Sequence, residues 1–152
     1  LELLKKGNVN ERYWAAVSLR NGFFSEKRIQ QSVFEWIQDV APSVRIEIAG
    51  WLAFFPEKRE AALDRLVKDL ENPDWAVALQ ACRAIELLGP KARPVLGTMK
   101  KLYAKTRHEP GDNNFFIAFS SGAFLDGLGE KTEPWDFSPG AGSFMPAKKK
   151  SN

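Results

Sequence analysis

Residues 44–52 read Val44-Arg45-Ile46-Glu47-Ile48-Ala49-Gly50-Trp51-Leu52, and the same pattern stands 33 residues before and 33 residues after them. The earlier copy is Glu11-Arg12-Tyr13-Trp14-Ala15-Ala16-Val17-Ser18-Leu19, the later one Val77-Ala78-Leu79-Gln80-Ala81-Cys82-Arg83-Ala84-Ile85. Small residues recur in register at Ala16, Ala49 and Cys82, and apolar ones at Leu19, Leu52 and Ile85. A fixed period of this size predicts stacked helical hairpins, because one hairpin cannot bury its apolar face alone and its neighbours must cover it.

Working outward, each repeat has a leading and a trailing helix. Leu1 and Leu4 align at the period with Phe34 and Ile37, then with Val67 and Leu70, so the chain is expected to open inside the trailing helix of a truncated repeat. The first leading helix is predicted over residues 10–20, capped by Asn8 or Asn10 and stopped at Asn21-Gly22, with Tyr13, Ala16, Val17 and Leu19 inward. A trailing helix over 25–38 turns in Ile29, Val33, Trp36 and Ile37 at helical spacing. Pro42 then starts the second leading helix, which buries Val44, Ile48, Ala49, Leu52 and Phe55. Its partner over 57–71 carries the stripe Ala62, Leu63, Leu66, Val67 and Leu70. Gly89-Pro90 divides the third pair, over 74–88 and 90–106, whose inner positions include Val77, Ala81, Ile85, Leu88, Met99, Leu102 and Tyr103.

After that the period slips by seven residues through His108-Glu109-Pro110-Gly111-Asp112. A last leading helix over 114–128 restores it, with Ile117, Gly122 and Leu125 in register with Val77, Cys82 and Ile85. Phe115, Phe116, Phe119 and Phe124 suit this helix to close the apolar end of the stack. From Glu130 the prolines, glycines and a lysine run predict an extended tail, pinned at its start by Trp135 or Phe137.

With 152 residues, 44% of them hydrophobic, the chain can build one compact core. No apolar run is long enough for a membrane span. The sequence pI of about 9.0 suggests polyanion partners. Yet removing Lys148, Lys149 and Lys150 from the 22 basic residues leaves 19 against 19 acids, so the body is electrically balanced and nucleic acid is a poor candidate. A lone Cys82 excludes an internal disulfide and a cysteine metal cluster.

The Val-Arg-x-x-x-Ala-x-x-Leu core of residues 44–52, with Asp39 and Pro42 ahead of it, resembles HEAT-type helical repeats. That resemblance implies an all-α α-α superhelix, a HEAT/ARM-like solenoid of about seven helices, with a repeat domain at 1–129 and an irregular tail at 130–152. Residues 12–19, Pro42-Ser43-Val44-Arg45-Ile46 and Leu79-Gln80-Ala81 look like the helical-repeat segment downstream of the catalytic domain in some bacterial sulfatases. The resemblance implies a non-catalytic appendage of a sulfatase-like hydrolase, periplasmic or secreted, whose partner is a neighbouring catalytic domain or another chain. The family's Cys/Ser-x-Pro-x-Arg signature is absent, and Ala78 replaces the arginine of the third repeat. A resemblance to DNA alkylation-repair glycosylases or to phycobilin lyases of HEAT-like fold would imply nucleic-acid binding or a chaperone-type enzyme instead.

Individual residues favour the non-catalytic reading. Arg12 and Arg45 share one repeat position, where a guanidinium can bond backbone carbonyls and acids such as Asp39. Cys82 falls on an inner, packed position, and His108 is the single histidine, so no nucleophile and base pair, metal site or cofactor site can be assembled. Most of the tryptophans are expected to seal gaps between repeats. Lys91, Arg93, Lys100, Lys101, Lys105 and Arg107 form an acid-free run on the third trailing helix, where a concave, anion-attracting face and weak polyanion binding are expected.

Overall fold

A computed structural model describes residues 1–108 and 112–133. Among these residues there is no β-strand, and the regular structure is helical. They are α1 (Glu2–Lys6), α2 (Val9–Phe23), α3 (Lys27–Val33), α4 (Pro42–Leu52), α5 (Pro56–Leu70), α6 (Trp75–Leu88), α7 (Leu96–His108) and α8 (Asp112–Gly127), with 3-10 segments at Phe34–Gln38 and Gly89–Val95.

The leading helices pack in chain order, α2 on α4, α4 on α6 and α6 on α8. The trailing elements lie behind them: α4 packs on the segment Phe34–Gln38 and on α5, α5 reaches α6, and α7 packs on α8. α4 is therefore enclosed, and Val44, Ile46, Ile48, Ala49, Trp51 and Leu52 are all buried along it. The small positions in register sit at these close approaches, where Ala16, Ala49 and Cys82 are shut off from solvent. A larger side chain there would push neighbouring helices apart.

Capping and prolines set the element boundaries. Asn8 Oδ1 accepts from the Glu11 amide at 3.1 Å and Glu11 Oε2 accepts from the Asn8 amide at 2.7 Å, a reciprocal box that starts α2. α2 does not stop at Asn21-Gly22. It continues to Phe23, because the chain is held one residue later, where the Phe24 carbonyl accepts from Trp51 Nε1 and from Gln30 Nε2, both at 3.2 Å. The trailing helix expected over 25–38 tightens to 3-10 from Phe34, which lays Ile37 on the core and delivers Asp39 beside α2. The helix expected over 90–106 is also divided. Pro94 has no amide to donate and its ring crowds the preceding turn, so Gly89–Val95 is 3-10 and the α-helix begins at Leu96. Gly89 ends α6 at φ 53°, a conformation that suits glycine.

Two expectations about aromatics are corrected. Trp51 is buried and Trp36 packs against the core, but Trp14 and Trp75 are 63% and 43% exposed. On α8, Ile117, Ala118, Phe124 and Leu125 do the packing while Phe116 and Phe119 face water. Residues 130–133 follow α8 without helix. Trp135, Phe137 and the rest of the tail lie outside the described residues.

Candidate functional site

Arg12 and Arg45 occupy matching places between the two rows. Arg12 donates to both carboxylate oxygens of Asp39, at 2.9 and 3.0 Å, and to the Gly7 carbonyl at 3.0 Å. Arg45 donates to Asp69 at 2.7 to 3.1 Å and to the carbonyls of Asp39 and Val40 at 3.2 and 2.9 Å. Asp69 takes a second arginine, Arg65, from its own helix at 3.1 Å. Bidentate pairs of this kind fix orientation, and they hold each leading helix to a buried acid at the end of the trailing element that follows it. The Asp39 carboxylate hydrogen-bonded to Arg12 pushes the guanidinium further toward its charged form.

The third repeat has Ala78 where the arginine would stand, and its buried charge comes from α7 instead. Arg107 is 4% exposed, donates to the Tyr103 hydroxyl and lies 3.3 Å from a Glu133 oxygen. Tyr103 in turn donates to the Glu133 carbonyl at 3.1 Å. Arg107 thus stands apart from the other five cations of the acid-free run. Lys100 pairs with Glu130 at 2.7 Å, and Lys101, Lys105 and Arg93 are exposed. Lys91 holds its ammonium 5.2 Å from the centre of the Phe54 ring, which belongs to a different feature.

That feature is a groove of about 830 Å³ over α2, α4 and α6, on the leading helices and not on the trailing ones. Its construction is periodic. Ile46, Glu47, Gly50 and Trp51 of α4 and Phe54 just after it line it, and so do the residues one period on, Leu79, Gln80, Arg83, Ala84 and Leu87 of α6. Gly50 and Ala84 are small and lie close, since a Cβ on Gly50 would sit 3.4 Å from that of Ala84, so they leave a low floor. Phe24, Phe54, Trp75 and Leu87 line it with larger apolar side chains. On the trailing side, a hollow of about 270 Å³ lies between the segment Phe34–Gln38 and α5.

The groove lining contains one acid, and it is half-buried. Glu47 Oε1 lies 2.7 Å from Arg20 Nη1, linking α4 to α2. Burial raises the Glu47 carboxyl above its ordinary range and Arg20 pulls it partly back. At the far side Arg83 pairs with Glu86, whose other oxygen accepts from Ser120 on α8 at 2.7 Å. The Arg20–Glu47 pair ties α2 to α4, and the Ser120–Glu86 bond ties α8 to α6.

The sequence reading missed this groove and also Asp69. The recurring positions carry different residues in each repeat, and the only signal was geometric: the face that adds 33 from Ile46, Glu47 and Gly50 contains no single conserved chemistry within the chain.

Cys82 is fully buried, donates to the Ile117 carbonyl at 3.8 Å, and its thiol is pushed up to about 12 by burial. It is protonated near neutral pH and therefore not nucleophilic. His108 is exposed at the end of α7. Among the described residues no group of three or more His, Cys, Asp or Glu side chains could hold a metal ion, and no helix is long and apolar enough to cross a membrane. Comparison with known protein families, curated proteins and solved structures gave no match to this chain.

Proposed function

We propose that this chain is a non-catalytic interaction module, a segment of HEAT-like α-solenoid whose leading-helix face docks an apolar segment of another polypeptide. The supporting observation is where large apolar side chains are exposed: α5 and α7 carry none, several stand on the leading helices, and Leu1, Leu3 and Val40 are exposed near α1 and ahead of α4. Trp14, Trp75, Leu87, Phe116 and Phe119 all belong to leading helices. They share the groove's register: Trp14 stands one period before Glu47, and Phe116 and Phe119 match Ala76 and Leu79 once the seven-residue slip is allowed. Trp75 and Leu87 line the groove itself, and exposed apolar surface gathered at a groove marks an interaction site. The likeness of residues 12–19, 42–46 and 79–81 to the sulfatase repeat segment supports a hydrolase catalytic domain as the neighbour. The burial of Cys82 supports the non-catalytic part of the reading.

Selection of peptides from a random displayed library on the whole chain tests docking. Selected apolar peptides should bind the parent chain, lose binding to Ala84→Trp, which fills the groove floor, and keep it with Lys68→Glu on α5. Binding that ignores Ala84→Trp would remove the groove from the account. Turnover of aryl sulfates or esters that disappears in Cys82→Ala or His108→Ala would contradict the non-catalytic reading.

A further inference from the structure

Apolar walls alone do not say what the groove receives, but its charges do. The lining residues supply two cations, Arg20 and Arg83, and one acid, Glu47. The acid is turned from solvent, since its side chain is 14% exposed, and its pair with Arg20 leaves only that guanidinium's outer N–H groups for a ligand. The cations are not buried with it: the Arg20 and Arg83 side chains keep 38% and 55% of their surface in water. Arg83 is paired with Glu86, yet its planar guanidinium has five N–H donors and so can serve a second carboxylate. Lys91 adds a third cation above Phe54, at the wall of the same groove. The surface a ligand meets is therefore an apolar trough with a cationic rim.

Resting on the docking reading above, we infer that the groove takes an acidic amphipathic segment of a partner polypeptide, with apolar side chains between Trp75 and Phe54 and carboxylates toward Arg83, Lys91 and Arg20. The rim disfavours two other occupants. Residues 134–152 of this chain carry Asp136 against Lys148, Lys149 and Lys150, and so have the rim's own sign. A second copy docked groove to groove would bring the same cationic rim to face itself. Like charges brought together at an interface oppose association, and opposite charges speed it.

Three labelled synthetic amphipathic peptides, sharing their apolar positions and differing only in carrying Glu, Gln or Lys at the polar ones, test this by fluorescence anisotropy with the whole chain. The Glu peptide should bind tightest, about tenfold over the Lys peptide at low salt, as two or three exposed charge pairs allow. The advantage should shrink with salt, because screening acts over about 10 Å at 0.1 M. Arg83→Gln combined with Lys91→Gln should cut the Glu preference to the part that Arg20 supplies, about threefold or less, while circular dichroism stays unchanged. Lys100→Gln with Lys101→Gln, away from the groove lining, should leave the preference intact. Equal binding of all three by the parent chain, lost in Ala84→Trp, would overturn the acidic partner and keep the docking groove. A Lys peptide that binds as well as or better than the Glu peptide would also overturn it. So would tighter Glu-peptide binding after removal of residues 134–152, which would make the tail the occupant, or a dimer dissolved by the peptide, which would make it a second copy. No binding of any peptide would remove both readings.

Discussion

The two helix rows of this chain turn different surfaces to water. α2, α6 and α8 expose Trp14, Trp75, Leu87, Phe116 and Phe119, whereas α5 and α7 expose Glu57, Glu60, Asp64, Lys68, Lys100, Lys101 and Lys105. Both rows also bury apolar residues, Ala62, Leu63 and Leu66 on α5 as well as Val44, Ile48 and Leu52 on α4. The helices are held together from within, by the packing around α4 and by the Arg12–Asp39 and Arg45–Asp69 pairs. The outer face of the leading row is where we propose that a partner docks. Substitutions between the rows should therefore cost stability, and substitutions on the outer leading face should cost binding.

The largest effect is expected from Asp69→Ala. It removes the shared partner of Arg45 and Arg65 at a site where the carboxylate is 1% exposed, and breaking a buried pair in this way costs about 3 kcal/mol. Urea unfolding measures it, and a change below about 0.5 kcal/mol, as at an ordinary surface site, would show that the rows hold without these pairs. Gly122→Ala comes next. A Cβ there would stand 3.0 Å from Cε2 of Tyr103, so α8 must shift or the ring must give, at about 1 to 2 kcal/mol. The effect should be read by thermal melting.

On the outer face the sign changes. Gly50→Ala adds a Cβ at ordinary contact distance and removes a helical glycine, so it should stabilise by about 0.5 to 1 kcal/mol. Leu87→Asp should leave stability within about 0.5 kcal/mol while removing peptide binding, which separates the two rows most cleanly.

The smallest effect is a slope with pH. Burial raises the Glu47 carboxyl in the folded chain above the ordinary value of 4.5. Between that value and the raised one the folded state holds more protons than the unfolded state, so stability falls as pH rises through the window. Glu47→Gln should flatten that part of the curve in denaturant midpoints measured from pH 4 to 7, and an unchanged curve would show that Glu47 does not titrate there.

What could be read from the sequence follows the same division. The 33-residue period located the helices, and the small residues Ala16, Ala49 and Cys82 marked the buried contacts, because close packing restricts volume at each repeat. Element ends were less legible where a distant contact decided them, as with the Phe24 carbonyl that carries α2 past Gly22. A charge inside an apolar stripe was the other blind spot. Asp69 lies between Leu66 and Leu70 and reads as solvated until Arg45 and Arg65 converge on it. Arg107 could have been found: it stands four residues after Tyr103 and eight after Met99, on the inward side of α7. The groove could not, because burial pressure does not act on an exposed face and its residues change from repeat to repeat.

The most direct test of the central claim, that the leading row is the docking face, is amide chemical-shift mapping of the whole chain during titration with the Glu peptide. The account predicts shifts at Gly50, Gln80, Ala84 and Leu87, with Glu60, Asp64 and Lys68 on α5 unmoved. Shifts confined to α5 and α7, with the groove amides unchanged, would contradict it.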